Sequence, residues 1–431
     1  MDAITREVVT LPNGARIVFD PMPSLRTAAV GVWLAAGARH EPARLGGLAH
    51  FLEHMAFKAA GGRSAMQIAE DVEARGAVMN AATDYERTSY TVRCLRDDAA
   101  DMLDIALSLV FAPEHPEAEI KREKGVVLQE IGEAADQPDD LVFELAQAAG
   151  YGDHALGRPV LGVEKTLKKI ARGDLFGFAE ANYAPGRTVV SIAGSYDRSA
   201  VEGVARKWME GRAARPTPEL DRVLPAFGDW SRDQRPANVW VGRERSIEQV
   251  HLVLARHAPS AASEDRFAAR LFAEIFGGGM ASRLFQQVRE ERGLAYTIDA
   301  ACDQYTDAGR FTVYAGCAAE DALEVAKITA EVWSDMAASG PTAVELARAK
   351  AVMKAQFAMA AEGPAMRAGS AAYELLAFDR LVNIEEVLQR IDGVAHADVQ
   401  RMASVAVGGP AYAAAVGPAA GLGAAEAFLS L

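Results

Sequence analysis

Residues 119–130, EIKREKGVVLQE, recur without gaps at residues 345–356 as ELARAKAVMKAQ, and this repeat decides the fold. An amphipathic helix precedes each copy, so the two halves of the chain are predicted to be duplicates of one α+β unit. We expect each unit to be a largely antiparallel sheet with helices packed on it. Four positions are identical in the two copies: Glu119/Glu345, Arg122/Arg348, Lys124/Lys350 and Val126/Val352.

The segment between the halves suggests where one domain ends and the next begins. Residues 213–236 are rich in proline and charge and lack clear periodicity, which is typical of an interdomain linker. We therefore predict a first domain over residues 1–212 and a second over residues 237–431.

Local patterns place the principal elements of the first half. The Asn13-Gly14 pair between two apolar runs predicts a β-hairpin. Apolar residues at helical spacing predict helices over residues 45–57 and 64–75, and a longer helix over residues 117–135.

Composition and charge exclude several classes of function. The 431 residues carry a formal charge of −14, so nucleic acid, which needs a basic surface, is not expected as a partner. The same charge favours solubility and also attracts cationic ligands, such as a basic peptide. No apolar run is long enough to cross a bilayer, so no membrane partner is expected.

Cysteine usage and the N-terminal sequence bear on the compartment. Three cysteines, Cys94, Cys302 and Cys317, are few and odd in number, which fits a reducing compartment. The N-terminus lacks the basic and apolar segments of a secretory signal. We therefore expect a cytoplasmic protein, although a precursor trimmed at its N-terminus would look the same.

The chemistry of the first half centres on HFLEH at residues 50–54. Residues four apart on a helix share a face, so His50 and His54 can both reach one zinc ion. Glu53 lies close enough to take a proton from zinc-bound water, whose pKa is about 7. This is the inverted His-x-x-Glu-His order. The alternative is a pair of surface histidines, but this helix is otherwise apolar, and burying these groups unpaired would be costly.

A catalytic zinc also needs a third protein ligand and an open position. Glu123 and Glu130 lie seven residues apart, about two turns along one face of the predicted long helix. The second copy has Ala349 and Gln356 at these positions, which suggests chemistry in the first copy only. We predict Glu130 as the third ligand of one zinc ion per chain, and Glu123 as the carboxylate that orients a ligating histidine. Solvated helix acids are the alternative for both.

Seven segments together resemble the pitrilysin and mitochondrial processing peptidase family of inverted zincins, particularly its short bacterial-type members. The likeness extends over nearly the whole chain. One departure is Ala59-Ala60, where many relatives have Gly-Thr, although no ligand is affected. The segments are HFLEHMAFK (50–58), EKGVVLQEI (123–131), LPNG (11–14), MNAATDYERTSY (79–90), LGRPVLG (156–162), NYAPGRTVVSIAG (182–194) and FGGGMASRLFQQVREERGLAY (276–296).

The resemblance implies a role for each matching residue. Asn80 and Ala81 match the edge-strand segment that holds the substrate backbone. Arg289 and Tyr296 match an Arg/Tyr pair that the second half brings to the site, where Tyr296 would donate to the oxyanion. Without the resemblance, these two would be a surface charge and a strand aromatic. The metal-site matches are the zinc ligands His50, His54 and Glu130, the base Glu53 and the supporting acid Glu123.

The resemblance also implies an assembly. Long relatives carry four α+β units that close like a clamshell around the peptide, whereas this chain has two and would form half of one. Because both the zinc motif and the Arg/Tyr pair are present in one chain, we expect a homodimer. Each zinc site would then be completed by Arg289 and Tyr296 from the other protomer.

The expected activity is hydrolysis of peptides or unfolded segments by a zinc-dependent endopeptidase. A preference for basic residues near the cleavage site is a hypothesis from charge and family. The alternative is a non-catalytic subunit or a heterodimer partner, which would be expected to have lost part of the ligand set. A metal-storage or sensing protein would not require Glu53 or the Arg/Tyr pair.

Overall fold

The computed structural model describes residues 6–215, 224–230 and 235–430. The strands are β1 (Glu7–Thr10), β2 (Arg16–Pro21), β3 (Thr27–Leu34), β4 (Ala59–Ala60), β5 (Arg63–Ser64), β6 (Val78–Thr83), β7 (Thr88–Leu95), β8 (Thr188–Gly194), β9 (Val239–Glu244), β10 (Gln249–Ala258), β11 (Ala295–Gln304), β12 (Gly309–Ala318) and β13 (Ala411–Gly417).

Helices outnumber strands in the described residues, and a π-helical segment at Phe285–Glu290 accompanies them. The α-helices are α1 (Leu48–Ala56), α2 (Ala65–Glu73), α3 (Ala99–Phe111), α4 (Glu117–Asp136), α5 (Pro138–Tyr151), α6 (Glu164–Leu167), α7 (Arg172–Asn182), α8 (Arg198–Met209), α9 (Arg266–Phe276), α10 (Ala322–Ser339), α11 (Ala343–Ala360), α12 (Pro364–Phe378), α13 (Ile384–Gly393), α14 (His396–Val407) and α15 (Ala419–Phe428).

The chain forms two compact units, and each is discontinuous in sequence. The first comprises Met1–Ile131, Arg158–Leu220 and Ala358–Asn383, and the second comprises Gly132–Gly157, Asp221–Phe357 and Ile384–Leu431. Helix α5 therefore belongs to the second unit, and helix α12 belongs to the first. The expected linker at residues 213–236 lies partly outside the described residues, and the predicted domain boundaries remain a prediction.

The sheet of the first unit has the order β1-β2-β8-β3-β7-β6. Neighbouring strands are antiparallel except β2 and β8, which are parallel. The predicted hairpin is present as β1 and β2, and its turn includes Gly14 at a φ of +89°, a conformation that glycine adopts without steric cost. Strand β6 lies at the edge of this sheet.

The five strands of the second sheet repeat five of the six strands of the first, all except β1. Its order is β11-β12-β10-β13-β9, with β13 and β9 parallel and the other pairs antiparallel. It matches β6-β7-β3-β8-β2 of the first unit. Cys94 and Cys317 occupy equivalent positions, and each thiol lies 3.9 Å from a carbonyl oxygen of the neighbouring strand. The α+β class and the duplication are thus confirmed.

Each sheet is covered by helices on two faces. In the first unit, α1 and α3 contribute Phe51, Leu52 and Met102 to the larger core, whereas α12 packs against the opposite face. In the second unit, α5 packs against β10 and β13. Helix α12 lies in the second half of the sequence and α5 in the first half, so each sheet is covered on one face by a helix from the other half of the sequence.

The predicted helices that carry the motifs are present. Helix α1 (Leu48–Ala56) is shorter than the expected 45–57 because a 3₁₀ turn at Ala43–Leu45 precedes it. Helix α4 (Glu117–Asp136) extends one residue beyond the prediction. Along these described residues, no helix is both long enough and apolar enough to span a bilayer.

Candidate metal centre

Helix α1 packs one face against the core and carries the motif residues on its other face. Its apolar side chains are buried, whereas His50, Glu53 and His54 lie half-buried on the remaining face. The helix begins after Gly47, whose φ is +90° and where an added Cβ would lie 2.5 Å from the carbonyl oxygen of Leu161. Glycine is therefore required at this entry to the helix.

Glu41 holds the first turn of α1 in place. Its two carboxylate oxygens accept hydrogen bonds from the backbone N–H groups of Gly47 at 2.8 Å and Ala49 at 2.6 Å. A carboxylate at a helix N-terminus satisfies otherwise unpaired donors. Burial raises the pKa of Glu41 to about 8, and the two N–H bonds oppose that shift. The sequence did not reveal this contact, because six residues separate the acid from the helix.

Three side chains from α1 and α4 converge on one point. The Nε2 atoms of His50 and His54 lie 3.8 and 3.4 Å from Oε2 of Glu130. Among the described residues, this is the one group of three or more His, Cys, Asp or Glu side chains whose ligand atoms lie within 4.8 Å of one another. The structure thus brings together the three predicted ligands, although their roles remain a prediction.

The donor set and its spacing fit a zinc ion. Tetrahedral ligand atoms about 2.0–2.2 Å from zinc are roughly 3.3–3.6 Å apart, close to the separations found here. Burial lowers the pKa of His50 to about 4, and the neighbouring His54 adds to the shift. His50 is therefore neutral near pH 7, and a neutral imidazole offers a lone pair to a metal.

Glu123 contacts the ring nitrogen of His54 that faces away from Glu130 and so orients the imidazole. It is 4 % exposed, and its Oε1 lies 2.9 Å from Nδ1 of His54. Since Nδ1–H donates to this carboxylate, the ring directs Nε2 towards Glu130. The other oxygen, Oε2, pairs with the ammonium group of Lys58 at 2.7 Å. Lys58 was not identified as a site residue from the sequence, although it follows His54 by one helical turn.

Glu53 is held by a residue that sequence reasoning missed. The Thr83 hydroxyl on β6 donates a hydrogen bond of 2.6 Å to Oε2 of Glu53. Burial raises the pKa of Glu53, while Thr83 and His54 oppose that shift and Glu130 adds to it. Thr83 follows Ala81 by two residues, so strand alternation alone would have placed it on the face of α1.

Asn80 and Ala81 lie on β6, the edge strand that contacts α1. Asn80 is exposed and Ala81 is half-buried, and they pair with Thr91 and Tyr90 of β7. No other strand of the described residues pairs with the opposite edge of β6. An open edge of this kind accepts an extended peptide as an additional strand.

Arg289 and Tyr296 belong to the second unit. Arg289 lies in the π-helical segment, with its guanidinium 5.7 Å from the centroid of the Tyr296 ring and 4.7 Å from that of Phe285. Tyr296 is at the start of β11 and is 76 % exposed. The two side chains are thus adjacent and accessible within their own unit, and their catalytic role remains a prediction.

Comparisons with known proteins agree with the fold and motif. The family described as Insulinase (Peptidase family M16) matches residues 16–164, and Peptidase M16 inactive domain matches residues 169–353. An uncharacterized zinc protease of Mycobacterium tuberculosis is 33 % identical over 416 residues, covering 96 % of this chain and 94 % of that protein. The uncharacterized zinc protease YmxG of Bacillus subtilis is 32 % identical, covering 89 % and 91 %.

Solved structures share the same architecture. A peptidase M16 inactive domain from Pseudomonas fluorescens has a TM-score of 0.85 at 21 % identity, covering 96 % of this chain and 98 % of that one. A protease from Helicobacter pylori has the same TM-score and identity, covering 96 % and 99 %. The chain therefore belongs to peptidase family M16, as its motifs predicted.

Proposed function

We propose that this protein is a zinc-dependent endopeptidase that cleaves peptides or unfolded segments. The observation that carries the proposal is the convergence of His50, His54 and Glu130, with Glu53 on the same helix as the two histidines. Relatives named zinc proteases support zinc as the metal. When bound, zinc lowers the pKa of water and polarises a carbonyl group.

Glu53 is the general base in this proposal. Its raised pKa gives the carboxylate a higher proton affinity than an exposed glutamate has. Because Thr83 occupies Oε2 as a donor, Oε1 is the oxygen that takes the proton. The same group then returns the proton to the leaving amine, and Glu53 is regenerated.

Peptide binding is proposed to use the open edge of β6. A substrate pairing with β6 as an additional strand would be fixed by main-chain hydrogen bonds, which are independent of its sequence. Thr83 lies on the same strand as Asn80 and Ala81, so the bound peptide would run beside the residue that holds Glu53. This geometry favours extended or unfolded substrates.

The complete site is proposed to need two copies of the chain. The metal-ligand set and the Arg/Tyr pair are both present in this chain, so a symmetric dimer would assemble two equivalent sites. Arg289 and Tyr296 of the partner subunit would then bind the substrate carbonyl and the oxyanion. A preference for basic peptides is part of the proposal because the chain carries a charge of −14.

Hydrolysis of a mixed peptide library by the zinc-loaded protein, followed by mass spectrometry, tests the activity. The matched control is Glu53→Gln, which keeps the size of the side chain but cannot accept the proton. We expect cleavage by the wild type and loss of cleavage in the variant while zinc remains bound.

No cleavage by zinc-loaded wild-type protein would contradict the proposal and favour a binding subunit or a heterodimer partner. Equal turnover of acidic and basic peptides would remove the proposed preference for basic substrates without affecting the assignment of Glu53.

A further inference from the structure

A groove of about 500 Å³ lies beside the edge strand β6 in the first unit. Val78 and Asn80 line it from β6, Thr91 and Arg93 from β7, and Trp33 from β3. Ala365 and Ala368, near the N-terminus of α12, contribute to its wall. The groove therefore lies on the α12 face of the sheet, opposite to the face that carries α1.

The position equivalent to this groove in the second unit is occupied by side chains, and the equivalent residues can be identified from the sheet register. Gly194 ends β8 and Gly417 ends the equivalent strand β13. When these two glycines are aligned, the strand pairing makes Ala29 of β3 equivalent to His251 of β10 and Thr91 of β7 equivalent to Tyr314 of β12.

The helices align in the same way, because α5 and α12 both begin with proline at Pro138 and Pro364. Counting from these prolines, Phe143 of α5 corresponds to Gly369 of α12. The alignment is supported by burial, since Val142 and Ala368 are both buried against their sheets.

Three large side chains fill the space in the second unit. Phe143 stacks on Tyr314 with ring centroids 5.4 Å apart, and the Tyr314 hydroxyl lies 2.8 Å from Nδ1 of His251. The first unit has a glycine, a threonine and an alanine at these three positions. An added Cβ at Gly369 would contact only the Trp33 ring, at 4.0 Å. The groove therefore lies where three residues of the first unit are small and their equivalents in the duplicate carry rings, and the Trp33 ring, equivalent to Ala255, forms one of its walls.

We propose that the groove is a substrate subsite for one large aromatic or aliphatic side chain. This inference rests on the proposed function, in which a peptide pairs with β6. Residues paired across neighbouring strands point to the same face of a sheet. Peptide residues paired with Val78 or Asn80 would therefore direct their side chains into the groove, and their neighbours would point to the α1 face.

The lining selects the class of side chain. Trp33 and the α12 alanines provide apolar contacts, and in the duplicate the equivalent face of the sheet carries the stacked rings of Phe143 and Tyr314. Arg93 is the one charged residue in the lining, and no carboxylate of the described residues pairs with it. A lysine or arginine side chain is therefore disfavoured here, even if basic residues are preferred elsewhere along the peptide.

The test introduces the large side chains of the second unit at the equivalent positions of the first unit. Gly369→Phe and Thr91→Tyr each fill the groove, and Ser370→Phe is the control because Ser370 is exposed at the next helical position. The probes are alanine-rich peptides in which a single phenylalanine is scanned along the sequence. The readout is the ratio of kcat/KM for each phenylalanine peptide to that for the all-alanine peptide.

Wild-type protein and Ser370→Phe are expected to prefer phenylalanine at one position by about tenfold, the scale of burying one large apolar side chain. In both filled variants this ratio falls to about one. A ratio that persists in folded Gly369→Phe and Thr91→Tyr would overturn the proposal, as would the absence of any preference in wild type.

Direct binding separates failure of the subsite from failure of the proposed function. Fluorescence anisotropy of labelled phenylalanine and alanine peptides is measured with zinc-loaded Glu53→Gln, with and without Gly369→Phe. Suppose that the wild type cleaves no peptide, but Glu53→Gln binds the phenylalanine peptide selectively and loses this selectivity when Gly369→Phe is added. The subsite is then supported, and the peptidase assignment is contradicted. Equal binding of both peptides by Glu53→Gln would overturn the subsite.

Discussion

Half-buried Lys58 and buried Glu123 together support His54. Glu123 places one carboxylate oxygen on Nδ1 of His54 and the other on Nζ of Lys58, at 2.9 and 2.7 Å. With both oxygens occupied, the carboxylate has one orientation, and so has the imidazole. Groups behind a metal ligand affect metal affinity because they fix its orientation before the metal binds.

Replacing Lys58 with methionine is expected to weaken zinc binding by about tenfold, the lower end of the range for groups behind a metal ligand. The substitution leaves Glu123 without its ion pair, whereas Lys58→Arg keeps a cation and should recover most of the affinity. Competition with a zinc chelator measures the change. Lys168→Met, which removes an exposed ion pair with Glu164, is the control, and equal affinity in Lys58→Met and wild type would refute the role.

Thr83 is expected to act on Glu53 rather than on the metal. Thr83→Val removes the hydrogen bond to Oε2, so the carboxylate is no longer held in one rotamer, and kcat should fall by about tenfold, a fraction of the usual contribution of a general base. KM and zinc content should stay near the wild-type values, and Thr83→Ser should restore kcat. Steady-state kinetics with metal analysis would separate this from a loss of zinc, which is the contrary outcome.

At the scale of the elements, α11 is fixed to the second unit through its first turn. Glu345 accepts hydrogen bonds from Arg283 at 2.7 and 2.9 Å and from the backbone N–H of Thr342 at 2.6 Å. The Arg283 guanidinium is the largest cause that lowers the pKa of Glu345 to about 2. This acid is equivalent to Glu119 of α4, which pairs with Arg122 of its own helix.

The lowered pKa of Glu345 predicts acid sensitivity of the second unit. Between pH 4.5, the ordinary pKa of a glutamate, and pH about 2, the pKa of Glu345 in the folded protein, the folded state binds fewer protons than the unfolded state. The stabilisation is therefore present above pH 4.5 and is lost as the pH falls through about 2. Urea unfolding at a series of pH values should show a steeper loss for wild type than for Glu345→Gln. Parallel curves for the two proteins would contradict this linkage.

The helices that carry the candidate site could be predicted from the sequence, but the residues that hold its side chains in position could not. Helices α1 and α4 have clear apolar periodicity, and His50, His54 and Glu130 followed from their spacing and from the duplication. The contacts of Lys58 and Thr83 depend on the approach of another helix or strand. Side-chain type and local spacing do not specify such contacts, which arise from packing between distant segments.

At the scale of the whole molecule, the duplication is visible in both sequence and topology. Equivalent lysines show its detail: Lys124 donates to the carbonyl oxygens of Lys168 and Ile170, and Lys350 donates to that of Asp392. The exchange of α5 and α12 between the two sheets was not predictable. Their apolar faces fit a sheet, but periodicity does not show which of two related sheets they cover.

A mixture of two inactive variants tests whether the site is shared between protomers. Glu53→Gln lacks the proposed base and Tyr296→Phe lacks the proposed oxyanion donor. If each site takes Tyr296 from the partner subunit, a mixed dimer has one intact site, and random pairing should restore about a quarter of wild-type activity. No recovery after verified exchange of subunits, or only monomer by light scattering, would contradict the dimeric site.

Zinc K-edge X-ray absorption of the zinc-loaded protein tests the metal centre most directly. The structure predicts one zinc ion per chain with two imidazole nitrogens and one carboxylate oxygen at about 2.0–2.2 Å, and with no sulfur ligand. The imidazole signal should fall by half in His54→Ala. A spectrum with sulfur ligands, or one that is unchanged in His54→Ala, would show that His50, His54 and Glu130 do not form the zinc site.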